Sequence, residues 1–250
     1  YDNNPHVRAI YHTDATPDIK NYDLYINLDD AYEYNPLNHY VDSYFYRAFG
    51  TSDVVNKNPE LFTTEFDEEF MNSFYQDNEL DKYIVVHMRN WHWQAKNISL
   101  DVWFDVFTRL FEHRDDFKIV TIGGPTDHTV EHPNFVDLRN DKLTSQQMKL
   151  LCDNASCFVG IDSGPFHCAG ASASPILALL NHVHPENILP YRNGVKGDNC
   201  HVIQAGVDCV GCHARQPVPV RSINCEKGNY PCNQTWNGRQ IADKILEIVK

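Results

Sequence analysis

The order of apolar and polar positions divides the chain into two regimes. From about residue 81, runs of continuous hydrophobics alternate with segments whose apolar positions recur every three or four residues. Tyr83-Ile84-Val85-Val86-His87, Phe117 to Ile122, Ser156 to Ile161 and Pro175 to Leu180 predict buried strands, and Asn134 to Leu138 a shorter one. Between them, Leu100, Trp103, Phe104, Phe107, Leu110 and Phe111 mark the face of a helix capped by Ser99. Thr144 and Gln147 form a capping box. Helices are also expected from Pro165 to Ala173 and from Arg239 to Val249. Strands without polar alternation, separated by amphipathic helices, belong to a parallel sheet covered on both faces. Before residue 81 the pattern is weaker. Val7 to Tyr11 and Asp23 to Leu28 predict strands, and Leu37, Tyr40, Val41, Tyr44, Phe45 and Ala48 predict a helix closed by Gly50. The acidic, interrupted stretch 51–80 reads as a connection between domains, with a helix near Glu68 to Tyr75.

Charge narrows the classes of partner. With 34 acidic and 21 basic residues among 250, the formal charge is −13. Such a surface repels nucleic acid and anionic membranes, so a phosphate site must be a local exception. No run reaches the ~18 apolar residues of a membrane span, and no basic-then-apolar leader opens the chain, so it reads as cytoplasmic. Tyr1-Asp2-Asn3-Asn4-Pro5-His6 does not read as a natural start.

Ligands of an open parallel sheet bind beyond the carboxyl ends of its strands. Three loops leave such ends with unusual residues: His87 to Lys96, Gly123-Gly124-Pro125-Thr126-Asp127, and Asp162-Ser163-Gly164-Pro165-Phe166-His167. The third runs from a strand straight into a helix, where unpaired N–H groups and the helix dipole suit a phosphate. Gly164 permits close approach, Pro165 fits the first turn, His167 adds a donor, and Asp162 is expected to orient the loop. An ordinary helix cap is the competing reading. Arg89 and Lys96, from a neighbouring strand end, are expected to offset the charge of a diphosphate, although surface cations are commoner. Trp91 and Trp93 would stack on a base or sugar, or simply pack.

Rival motifs fail on spacing. The glycines around Ser163 are wrongly offset for a nucleophile elbow, no Walker or Gly-x-Gly-x-x-Gly segment occurs, and no Asp-x-Asp pair is present. Eight cysteines are too few for a disulfide scaffold. Cys152, Cys157 and Cys168 read as buried small hydrophobes. Cys209, Cys212, Cys225 and Cys232 cluster late in the chain, and the first pair has zinc-knuckle spacing. A structural zinc that pins a loop is one reading; free or disulfide-paired thiols are the other.

The stretch from Val136 through Leu143-Thr144, Phe158-Val159-Gly160-Ile161-Asp162-Ser163-Gly164-Pro165-Phe166-His167-Cys168-Ala169 to Pro175 resembles the donor domain of the ADP-heptose:lipopolysaccharide heptosyltransferase family. Lys96-Asn97-Ile98-Ser99 and Gly123-Gly124 resemble further segments of that family. The resemblance implies an α/β, GT-B-like fold of two Rossmann-like domains with parallel sheets, the amino-terminal one incomplete here. Residues 1–78 would be a partial acceptor-side domain, and 79–250 the donor domain with a Cys-rich loop at 200–232. It also implies an inverting, metal-independent hexosyl- or heptosyltransferase that moves sugar from a nucleoside-diphosphate sugar to a glycan or lipid-linked acceptor. Carried over by position, Lys96 would contact donor phosphate, and Ser163, Gly164 and His167 would form the diphosphate loop. The family's opening strand and catalytic base would precede this chain; Asp14, Asp29 and Asp30 carry no motif that makes any of them the base. A non-catalytic sugar-nucleotide-binding relative and a zinc-containing adaptor are the alternatives.

Overall fold

The computed structural model describes residues 3–11, 17–90, 93–140, 143–218 and 224–250. Its centre is a six-stranded, all-parallel sheet. The strands are β1 (Tyr83–Val86), β2 (Lys118–Gly123), β3 (Phe135–Arg139), β4 (Cys157–Gly160), β5 (Ile176–Leu180) and β8 (Cys200–Gln204). A short antiparallel pair, β6 (Tyr191–Arg192) and β7 (Val195–Lys196), lies outside the sheet. Residues of β1, β4 and β5 are buried throughout, as their continuous apolar runs require of strands covered on both faces. β3 and β8 lie at the two edges and are only partly buried.

Helices cover both faces. On one, α3 (Leu100–His113) packs against α7 (Gly238–Ile248), placing Trp103, Val106, Phe107, Leu110, Ile241 and Ile245 over Ile84, Val86 and Val159. On the other, α2 (Glu65–Asp77), α4 (Ser145–Asp153) and α5 (Gly164–Gly170) set Met71, Leu151, Phe166 and Ala169 against Val85, Val120 and Phe158. The Thr144–Gln147 capping box forms as expected, and a second one, Thr64 with Asp67, starts α2. Ser99 does occupy the N-cap of α3, but its side chain makes no capping bond.

The amino-terminal segment differs from its pattern. Val7 to Tyr11 and Asp23 to Leu28 form no strand, and among the described residues before Tyr83 there is none. Both stretches are mostly exposed and have no pairing neighbour, and an isolated strand leaves its backbone groups unsatisfied. The helix α1 (Tyr40–Phe49) forms as expected and ends at Gly50, which adopts the left-handed conformation (φ 72°). His39 Nε2 lies 2.8 Å from the Leu189 carbonyl, and Asn187 donates to the carbonyls of Leu37 and Asn38, so the start of α1 is tied to the turn around α6 (Pro185–Ile188). A second correction concerns 200–204. Expected within a loop, these residues form β8, because Val202 and Ile203 pair beside Ala178 and Leu179 of β5.

Candidate active site

The strand order β3-β2-β1-β4-β5-β8 turns back between β1 and β4. That reversal opens a crevice beyond the carboxyl ends of those two strands, where ligands of such sheets lie. The loops leaving β1 and β4 are the first and third singled out in the sequence, and the glycine turn follows β2. Trp91, His92 and Asp14 lie outside the described residues.

The β4 loop enters α5 with Ser163 as N-cap in extended conformation (φ −166°). Its hydroxyl accepts the Phe166 N–H at 3.4 Å, and Pro165 has no N–H. The cap therefore satisfies part of the helix end that was expected to face an anion. Gly164 remains exposed, with no atom within 4 Å of where a Cβ would stand, so this end of the helix is open.

Asp162 behaves differently from expectation. Its carboxylate accepts from side chains: Lys96 Nζ at 2.7 Å and His182 Nε2 at 3.0 Å, with His167 Nε2 at 3.5 Å. Burial opposes its charge, but the Lys96 ammonium and the two imidazoles outweigh burial and hold it well below the usual carboxylate range. Lys96 and His167, expected on donor phosphate, are thus both gathered on Asp162. Tyr40 packs on the His167 ring at 5.0 Å, and Tyr32 stacks on His213 at 5.3 Å. Burial, reinforced by Asp162, pushes the Tyr40 phenol up to about 12. The Tyr32 hydroxyl, His167 Nδ1 and His213 Nε2 are buried polar atoms without a protein partner.

Arg89 lies in the loop that leaves β1. With His87, Gly123, Gly124, Asp127, Leu138, Met148 and Pro165 it lines a cavity of about 320 Å³. Burial lowers the Arg89 pKa, opposed by the charges of Asp127 and Asp162. Gly123 has φ 138°, and a Cβ there would stand 2.3 Å from Asp127 Oδ2. The turn thus requires glycine. Asp127 folds back over it and accepts the Gly124 N–H at 2.8 Å and the Asn90 N–H at 2.7 Å. Trp93 packs with Ala95, Cys212 and Tyr230, and Lys96 Nζ sits 5.1 Å from its ring.

Sequence reasoning assigned no role to His87, Asp127, His182, Tyr32 or Tyr40. His87 and Asp127 stand inside the loops it singled out, so only the contact between them was hidden. His182 ends the apolar run of β5, where a buried polar residue marks a strand end facing a site. The four late cysteines do converge, since Cys209, Cys212, Cys225 and Cys232 line one small cavity with Tyr230 and Pro231. Among the described residues, however, no group of three or more His, Cys, Asp or Glu side chains is placed to hold a metal ion. Nor are any of these thiols in a disulfide.

The model of glycosyltransferase family 9 (heptosyltransferase) matches residues 24–205, well over half of the chain. The chain belongs to that family. A search of functionally curated proteins finds no match. Among solved structures, a family 9 glycosyl transferase from Veillonella parvula is 18% identical (TM-score 0.60), the alignment covering 85% of this chain and 60% of that one. ADP-heptose lps heptosyltransferase II from E. coli is 15% identical (TM-score 0.58), covering 85% and 62%. The iron-containing dodecameric glycosyltransferase TibC from enterotoxigenic E. coli is 16% identical (TM-score 0.54), covering 87% and 55%. These likenesses show an α/β, GT-B-like fold. The chain spans about 60% of the length of the first two structures. None of its described helices is long and apolar enough to cross a membrane.

Proposed function

We propose that this chain binds a nucleoside-diphosphate sugar in the β1/β4 crevice. Within the whole cytoplasmic protein, the sugar passes by an inverting, metal-independent route to a hydroxyl of a glycan or lipid-linked acceptor. One observation carries the reading: the open Gly164 end of α5 stands beside a cavity lined by Arg89 and the Gly123–Gly124 turn. In a chain of charge −13, this is the local exception that a diphosphate needs. Arg89 and the polar groups around Lys96 would offset charge on the departing diphosphate as the glycosidic bond breaks. The unpartnered Tyr32, His167 and His213 atoms are groups that a polar ligand would satisfy.

The first test is a melting-point screen with ADP, GDP, UDP and CMP, since a ligand of the folded state raises the transition. A rise with one diphosphate is expected, and it should shrink in His167→Ala. No rise with any of the four sinks the reading. A second proposal concerns Cys209, Cys212, Cys225 and Cys232. Their convergence on one cavity of about 20 Å³ suits a structural metal, with zinc favoured by thiolate donors, if the loop closes by a small movement. Metal analysis of the purified protein, compared with Cys212→Ser, tests it; metal-free protein with an unchanged melting point would refute it.

A further inference from the structure

We propose that His87 is a positioning residue for the donor diphosphate: by bridging Ser163 and Asp127 it locks the α5 loop to the glycine turn. The proposal rests on the donor-site reading above and deepens it.

The ring follows β1 directly and is 2% exposed. Its Nδ1 lies 3.0 Å from Ser163 Oγ, and its Nε2 lies 3.2 Å from Asp127 Oδ2. Asp127 in turn holds the Gly124 N–H and the Asn90 N–H, while Arg139 anchors the Asp127 carbonyl at 2.6 Å. One imidazole therefore links the loops that leave β1, β2 and β4. All three border the crevice. Asn90 also joins the β1 and β2 loops through Thr126 and Asp127, and Lys96 joins the β1 and β4 loops through Asp162. Among the described contacts, however, only the His87 ring touches Ser163 and Asp127 together.

Serine, histidine and aspartate in a row suggest a nucleophile, but the bonds here exclude that role. Ser163 is 6% exposed, and its Oγ accepts the Phe166 N–H while lying 3.0 Å from the Ile161 carbonyl. The hydroxyl is a helix cap. The Asp127 carboxylate only accepts, so the ring turns an N–H at Nε2 toward it, while Nδ1 faces the Ser163 hydroxyl.

The two ends of the bridge can be separated by substitution. In His87→Gln the side-chain amide reaches the place of Nε2 and keeps the Asp127 bond. In His87→Asn it takes the place of Nδ1 and keeps the Ser163 bond. Asp127→Asn keeps the shape but puts an amide where the ring Nε2 meets a carboxylate oxygen, and it carries the test should the His87 variants fail to fold. Titration calorimetry would compare ADP, GDP and UDP with adenosine, guanosine and uridine. Each variant is expected to lose about tenfold or more in diphosphate affinity, while nucleoside affinity stays within about twofold. Equal losses for diphosphate and nucleoside would mean a merely structural role and overturn the proposal, as would unchanged diphosphate binding. If the wild-type protein binds none of the three diphosphates, the donor-site reading itself fails, and this inference with it.

Discussion

Lys96 Nζ lies 2.7 Å from Asp162 Oδ2, and both side chains are nearly buried, at 12% and 13% exposed. The cation expected on donor phosphate is therefore the main counter-charge of a carboxylate at the root of the phosphate loop. Removing one member of such a pair leaves the other charge without compensation, which is worse than removing both. Lys96→Ala is expected to lower stability by roughly 3 kcal/mol in urea denaturation, and to weaken nucleoside-diphosphate binding by placing a bare carboxylate near the anion. Adding Asp162→Asn should recover most of the lost stability. A double variant no more stable than Lys96→Ala would show that the pair is not the relevant unit.

The glycines of the crevice should respond in opposite ways. Gly123 has φ 138° and an Asp127 oxygen 2.3 Å from the position of a Cβ, so Gly123→Ala must displace the turn. A cost of about 2 kcal/mol or more is expected in thermal or urea unfolding. At Gly164 the space is open, so Gly164→Ala should leave stability nearly unchanged or raise it slightly. The added methyl would nonetheless occupy the approach to the helix end and lower diphosphate affinity. If Gly164→Ala binds ADP, GDP and UDP as the wild type does, the phosphate is not at that helix end.

A buried arginine anchors the far end of α5. Arg192, 7% exposed, donates to the carbonyls of Ala169, Gly170 and Ser174. Ala169 and Gly170 end the helix, where the last carbonyls lack intrahelical partners, Ser174 lies just beyond it, and Ser172 Oγ also donates to Ala169 at 2.8 Å. A lysine can offer one charged head but not the planar fork, so Arg192→Lys should strand buried carbonyls and cost about 2–3 kcal/mol. Diphosphate affinity should fall as well, because α5 loses its anchor. Wild-type stability in Arg192→Lys would show that water replaces the guanidinium without loss.

How much of this was legible follows from what each signal measures. Tyr83-Ile84-Val85-Val86 and Ile176 to Leu180 announced themselves because burial on both faces leaves only apolar residues in a strand. β8 stayed hidden because an edge strand tolerates Cys200, His201 and Gln204, and its partner is more than twenty residues upstream. In the amino-terminal segment, Asp23 to Leu28 has the composition of a strand, but composition does not supply a pairing neighbour. The site loops were legible from position, since glycines and helix caps at strand ends have local causes. The pairing of Lys96 with Asp162, and of His87 with both Ser163 and Asp127, joins residues on different loops. No spacing along the chain encodes it.

A last expectation concerns acid. His39 Nε2 lies 2.8 Å from the Leu189 carbonyl and so donates to it, while its Nδ1 accepts the Val41 N–H at the start of α1. Both bonds hold only for the neutral ring, because a hydrogen on Nδ1 would face the Val41 N–H. Burial accordingly lowers the His39 pKa, opposed by the Leu189 bond and Asp42, with Lys196 and Lys57 adding to the lowering. The sign follows from linkage. Below the ordinary histidine value of ~6.5, the unfolded chain takes up a proton that the folded protein refuses. The contribution of His39 is thus fully present above that value and is lost as the pH falls toward the lowered one. Melting curves recorded from neutral to mildly acidic pH should fall more steeply for the wild type than for His39→Asn, which keeps a capping side chain but cannot titrate. Parallel slopes would mean that His39 is not what joins α1 to the Leu189 turn in acid. The difference between the curves isolates this residue, since the other histidines titrate in both proteins.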